Sequence, residues 1–180
     1  MRIKIIQADV SQAAIIATIG KKSFRSAFEP LFNSKVELFD YLEKTYDPIK
    51  LVKSLRKGNN VYFLAWLDGR PVGFAKIKKS SLNDHIESIA QMELQKIYVL
   101  QEYHGFGIGK ALMEEIKCFS KQIFPDYLWL DVHTSNEKAI YFYEKNGFIK
   151  MSKSYFTIGS QTFHYYVMGF PVVANIKTAC

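Results

Sequence analysis

The chain has 180 residues, 48% of them hydrophobic and 23% charged, the balance of a folded soluble chain long enough for one domain with a proper core. Its formal charge is +7, yet the lysines are scattered and no basic tail or recognition-helix pattern emerges, which argues against a nucleic-acid partner. No apolar run approaches bilayer-spanning length, Met1–Ile5 does not begin a signal peptide, and Cys118 and Cys180 make no metal-type or redox spacing. The expectation is a reducing cytoplasm, no membrane association, no metal and no disulfide.

In chain order, residues 3–8 alternate weakly as a first strand. A helix runs from Asp9 or Ser11 to about Phe28, ended by Pro30. Two helical stretches follow, Lys35 to Tyr46 and Pro48 to Arg56. Val61–Leu67 and Pro71–Lys78 form a hairpin across Asp68-Gly69-Arg70. Residues 79–90 read as a loop and 91–99 as a fourth strand. A helix then runs to about Gln122, with Ile108, Leu112, Ile116 and Phe119 inward. A strand around Leu128–Val132, a short helix after Asn136, and strands near Lys150–Ile158 and Thr162–Met168 complete residues 1–172. Residues 173–180 read as a tail.

Two stretches carry chemistry. In Val99-Leu100-Gln101-Glu102-Tyr103-His104-Gly105-Phe106-Gly107-Ile108-Gly109-Lys110, a strand passes through three alternate glycines into a helix. Glycines tolerate positive φ and close backbone approach. The helix they open offers unpaired N–H groups and the positive end of its dipole, a cradle suited to a pyrophosphate. Gly109-Lys110 is followed by Ala111, so a Walker A loop is excluded, and the glycine spacing is not that of a Rossmann turn. The alternative is a β–α turn with no ligand. In the second stretch, Leu128, Leu130 and Val132 alternate, Thr134, Ser135 and Asn136 are all good N-caps, and Asn146-Gly147 stops a short helix. Asn136, Ala139 or Ile140, and Tyr143 recur at helical spacing, whereas Tyr141 points elsewhere.

The first stretch resembles motif A (R/Q-x-x-G-x-G/A) of the GNAT, or Gcn5-related, N-acetyltransferases, with His104 in the Arg/Gln position as a departure. The second resembles their motif B, N-x-x-A-x-x-x-Y-x-x-x-G-F, without a gap. The resemblance covers about residues 1–170 and is specific over 93–148. It implies an α/β (α+β) GNAT fold, a mixed twisted β-sheet flanked by helices, and acetyl-CoA as co-substrate. It also implies that main-chain groups of His104, Gly105, Phe106, Gly107, Ile108, Gly109 and Lys110 hold the pyrophosphate. Ile97, Tyr98 and Val99 would give main-chain contacts to the pantetheine and the acetyl carbonyl, through a bulge that is not visible in the sequence. Asn136 and Ala139 would line the pantetheine arm, Tyr143 would protonate the leaving sulfur, and Glu93 would deprotonate the amine directly or through water.

The acceptor is less defined. Glu37, Asp40, Glu43 and Asp47, with Asp84, Glu87 and Glu93 further on, suggest an acidic rim for a cationic small-molecule amine, or else the ordinary surface acids of an exposed amphipathic helix. The Ser23–Phe28, Tyr41-Leu42-Glu43 and Trp129–Val132 segments are similar to bacterial spermidine/spermine acetyltransferases of the PaiA type. His133 could touch substrate or relay a proton, or be a solvated loop residue. The alternatives are a protein amine as acceptor and a non-catalytic acyl-CoA-binding module. An exposed last strand could pair with a second subunit.

Overall fold

The computed structural model describes residues 1–172. Seven strands form a mixed sheet in the order β1-β2-β3-β4-β5-β7-β6. They are β1 (Ile3–Gln7), β2 (Asn60–Leu67), β3 (Arg70–Lys78), β4 (Gln91–Val99), β5 (Tyr127–His133), β6 (Ile149–Ile158) and β7 (Gln161–Pro171). The helices are α1 (Ala13–Phe28), α2 (Lys35–Thr45), α3 (Pro48–Leu55), α4 (Ile108–Ile123) and α5 (Glu137–Lys145). Residues 173–180, which the sequence assigns to a tail, lie outside the described residues. The chain divides into two compact units, Met1–Ile77 with Lys96–Leu112, and Lys78–Gln95 with Met113 onward.

In the first unit local chemistry sets the boundaries. Asp9 and Gln12 form a capping box ahead of α1. Ser34 Oγ accepts from the Glu37 N–H at the start of α2, and Asp47 caps α3 with Pro48 at its first turn. The β2–β3 turn puts both Asp68 (φ 47°) and Gly69 (φ 82°) in the left-handed region, as a tight two-residue hairpin requires. Pro30 ends α1 through a further 3₁₀ turn, Glu29–Leu31, rather than an abrupt stop. Buried Ile16, Ile19 and Phe24 of α1 and Phe63, Leu64 and Phe74 of the strands belong to this unit's core.

In the second unit β4 and β5 run parallel, with Gln91, Met92 and Glu93 opposite Tyr127, Leu128 and Trp129. The register ends there, although β4 continues to Val99 and β5 to His133. β5 also pairs with β7, and β7 with the edge strand β6, both antiparallel. One expectation is corrected. Phe119 of α4 is only half-buried, and Met113 and Ser120 lie inward instead; the 3.6-residue period drifts past Phe119 over four turns. The expectation of no disulfide turns on Cys180, which lies outside the described residues.

Candidate active site

The glycine stretch belongs to the first unit. After β4, Leu100 N–H donates to Val72 O (2.9 Å), and a 3₁₀ turn, Gln101–Tyr103, follows. His104 N–H donates to Gln101 O (3.1 Å), and its imidazole Nε2 bonds Val99 O at 3.0 Å. The side chain at the motif's departing position therefore braces the end of β4 rather than extending outward. Ser26 Oγ ties α1 to this turn through Gln101 Oε1. Gly105 (φ 84°) and Gly107 (φ 80°) are both left-handed, so successive peptides turn into a concavity that no β-branched residue would form. Ala111 N–H to Gly107 O (3.0 Å) is the first helical bond of α4. Gly105, Phe106, Gly107 and Lys110 are exposed, Gly109 is half-buried, and Ile108 anchors the helix in the core. The result is a main-chain anion cradle at a helix N-terminus.

Upstream, Ile97, Tyr98 and Val99 are half-buried at the end of β4. Gly73 of β3 lets this segment come close, since a Cβ there would fall 2.7 Å from Tyr98 O. Sequence reading passed over Gly73, although a lone glycine inside a strand signals such an approach.

The motif B residues belong to the second unit. Asn136 is the N-cap of α5 rather than a member of its face: its Oδ1 accepts from Ala139 N–H at 3.2 Å. Ala139 is half-buried, Ile140 buried. Tyr143 is 8% exposed and Tyr141 59%, so the two tyrosines point to opposite environments. What holds Tyr143 is the helix end. Phe148 N–H donates to Tyr143 O (3.1 Å) and Gly147 N–H to Glu144 O (2.9 Å), with Gly147 at φ 82°. This is a Schellman motif, completed by contact between the Phe148 and Tyr143 rings at 5.8 Å. Lys117 of α4 secures the same end through Asn146 O (2.6 Å). Burial pushes the Tyr143 phenol far above the ordinary tyrosine value, so it keeps its proton at any physiological pH.

Glu93 is 9% exposed and heavily engaged. Its Oε2 accepts from Lys78 Nζ at 2.8 Å and from Ser81 Oγ at 2.7 Å. Trp129 Nε1 donates to Ser81 O (2.8 Å), and Trp129 itself is buried with Ile86 and Val167. Trp129, Asp131 and His133 alternate with buried Leu128, Leu130 and Val132 along β5 and so share one face. Asp131 was not singled out as an acid in the sequence. Its carboxyl is raised by desolvation first and by the charge of Glu93 as well, while a bond from Ser154 Oγ (2.8 Å) and His85 oppose the rise. Asp131 thus senses the charge of Glu93 on this face. The rim expected from α2 is partly used up: Glu43 is paired with Lys21 (2.7 Å) and Asp47 caps α3. Among the described residues no cluster of metal-ligating side chains forms, and no helix is long and apolar enough to cross a membrane.

A strand, a left-handed glycine loop and a helix are followed downstream by a capped helix carrying a buried tyrosine. Comparison gives the family. The profile of the Acetyltransferase (GNAT) family matches residues 23–148, and the chain belongs to that family. An uncharacterised N-acetyltransferase of Lactobacillus delbrueckii subsp. lactis is 25% identical over 157 residues, 87% of this chain and 90% of its own. An N-alpha-acetyltransferase of Sulfurisphaera tokodaii is 28% identical over 138 residues, 73% and 81% of the two chains. Among solved structures, a PaiA N-acetyltransferase from Thermoplasma acidophilum in complex with coenzyme A superposes with a TM-score of 0.77 at 22% identity, covering 95% of this chain and 99% of that one. The fold is therefore the mixed, helix-flanked sheet of the GNAT enzymes, and the chain is an acyltransferase.

Proposed function

We propose that this enzyme moves an acetyl group from acetyl-CoA to a primary amine of a small cationic molecule, a polyamine such as spermidine or spermine, by direct attack in a ternary complex. The observation that carries the reading is the 105–109 loop, two left-handed glycines opening α4 in a member of an acetyltransferase family. Its N–H groups would take the pyrophosphate, with the pantetheine along the main chain of Ile97, Tyr98 and Val99 and past Asn136 and Ala139. An N–H of that strand would polarise the thioester oxygen. The amine nitrogen forms a bond to the carbonyl carbon, the C–S bond breaks, and the thiolate leaves.

Tyr143 would meet that sulfur. A phenol held so far above its ordinary value does not surrender its proton to a thiolate whose conjugate acid titrates near about 8.5. Its role is then a hydrogen bond to the departing sulfur, a sharper version of the acid assigned from sequence. Glu93 and Asp131, two acids close enough that Asp131 senses the charge of Glu93, support a cationic acceptor. The reaction is assigned to the cytoplasm, with residues 1–172 as one catalytic domain. The last strand, β7, is paired on both sides by β5 and β6 and so cannot take a second copy as the sequence suggested; the open edge is β6, where Tyr155 and Phe156 are exposed, and sedimentation tests pairing there.

The decisive assay is CoA release over a panel of amines. Selective turnover of spermidine or spermine supports the reading, and a ping-pong rate pattern would refute direct transfer. The N-alpha-acetyltransferase relative from S. tokodaii favours a second reading, a protein N-terminus as acceptor. Preferential turnover of peptides over polyamines would select it.

A further inference from the structure

Tyr143 sits in the last turn of α5, and the end of that helix decides where its ring is held. Tyr143 O accepts from Asn146 N–H (2.9 Å) and Phe148 N–H (3.1 Å), and Glu144 O accepts from Gly147 N–H (2.9 Å). The Asn146 carbonyl takes no part in these bonds, and it is one of the terminal acceptors that a helix cannot satisfy from within. Lys117 Nζ donates to it at 2.6 Å. The lysines nearer in sequence are turned elsewhere, Lys145 over the Tyr141 ring (4.6 Å) and Lys150 to Glu144 (3.2 Å) and over the Tyr166 ring (5.0 Å). The cap is therefore closed from α4.

The same ammonium has a second seat. It stands 4.6 Å from the centre of the Phe170 ring on β7, within cation–π range. Phe170 packs against the turn, since a Cβ on Gly147 would fall 3.3 Å from its ring. Phe170 meets Phe148 at 5.5 Å, and Phe148 meets Tyr143 at 5.8 Å. One cation thus stands at the head of two routes to Tyr143, the hydrogen-bonded turn and the chain of rings. All of these residues belong to the second unit. Desolvation lowers the pKa of Lys117, a fall that Glu114 opposes and Lys121 adds to. A charged donor partly withdrawn from water makes a stronger bond than a fully solvated one.

We propose that Lys117 is a positioning residue for acetyl transfer, a clamp that aims the Tyr143 phenol through the α5 cap and the Phe170–Phe148 rings. The inference rests on the reading in which that phenol bonds to the departing sulfur. Without the clamp the ring stays buried and loses its aim, so turnover falls more than binding does. Asn136 and Ala139, assigned to the pantetheine arm, lie at the opposite end of α5, so acetyl-CoA affinity should hold.

The test is a double-mutant cycle on Lys117 and Tyr143, with kcat measured on whichever amine of the panel turns over fastest and acetyl-CoA affinity by calorimetry. K117M keeps the length of the side chain and removes its charge. It should lower kcat about tenfold, less than the about 100-fold that an ångström of misplacement can cost, and bind acetyl-CoA as wild type does. K117R, whose guanidinium can both cap and stack, should recover most of the loss. In a Y143F background K117M should cost no further kcat, because the clamp acts only through the phenol. Amide hydrogen exchange at Gly147 and Phe148 should quicken in K117M. If K117M does not fold, F170L is read in its place: it removes the ring seat, keeps the lysine, and should show a smaller loss with the same dependence on Tyr143. An unchanged kcat in K117M, or a loss as large in the Y143F background as in wild type, would overturn the inference. Wild-type turnover by Y143F itself would instead overturn the role of Tyr143 on which the clamp rests.

Discussion

The glycine loop at 105–109 and the helix at 137–145 do their work by opposite means. The loop acts through main-chain N–H groups, so what matters is φ at Gly105 and Gly107, and the one side chain that departs from the family pattern, His104, is turned back onto Val99 O. The α5 helix acts through a single phenol, held by a Schellman motif, a neighbouring ring and a lysine from α4. A function carried by backbone tolerates a changed side chain but not a changed conformation. A function carried by one side chain shows the reverse.

Substitutions can break that contrast. The largest effect is expected at Tyr143→Phe, which keeps the buried ring and removes the donor: kcat should fall about 100-fold with acetyl-CoA affinity nearly unchanged, read by steady-state rates and calorimetry. Equal losses in Tyr141→Phe, at a ring 59% exposed, would refute the assignment of faces. Next comes Gly107→Val. A β-branched residue at φ 80° costs about 1–2 kcal/mol, so acetyl-CoA should bind about tenfold more weakly, and a loop that reshapes without loss of affinity would argue against a backbone cradle.

Smaller effects sharpen the comparison. Glu93→Gln removes the charge that holds Lys78 and should cost about 1–3 kcal/mol of stability, seen as an earlier melt. Because His133 is lowered on folding, the unfolded chain binds its proton first as pH falls. Its contribution to stability is therefore full above the ordinary histidine value and is lost as pH drops toward the folded one, and chemical melts between pH 7 and 5 should show this decline removed by H133Q. Smallest of all, His104→Ala should leave acetyl-CoA affinity close to wild type.

Much of this was legible in advance because it is local. Caps at Asp9, Ser34, Asp47 and Asn136, the Asp68-Gly69 turn and the Asn146-Gly147 stop each announce a boundary through chemistry within a few residues. The two motif stretches were readable for the same reason, being short and contiguous. Asn136 shows both sides: its residue type marked it as an N-cap, which it is, while helical spacing also put it on a face with Tyr143, which its capping side chain does not join.

What the chain by itself determined, then, is where helices and strands begin and end, which glycines must turn, and which family it joins, since these follow from backbone preferences and short-range hydrogen bonds. Tertiary structure alone decided that Lys78 and Ser81 would occupy Glu93, that Gly73 would admit the Tyr98 carbonyl, and that Asp131 would sense Glu93. Each of these joins residues distant in sequence, and side chains that meet only after strands pair leave no periodicity to read.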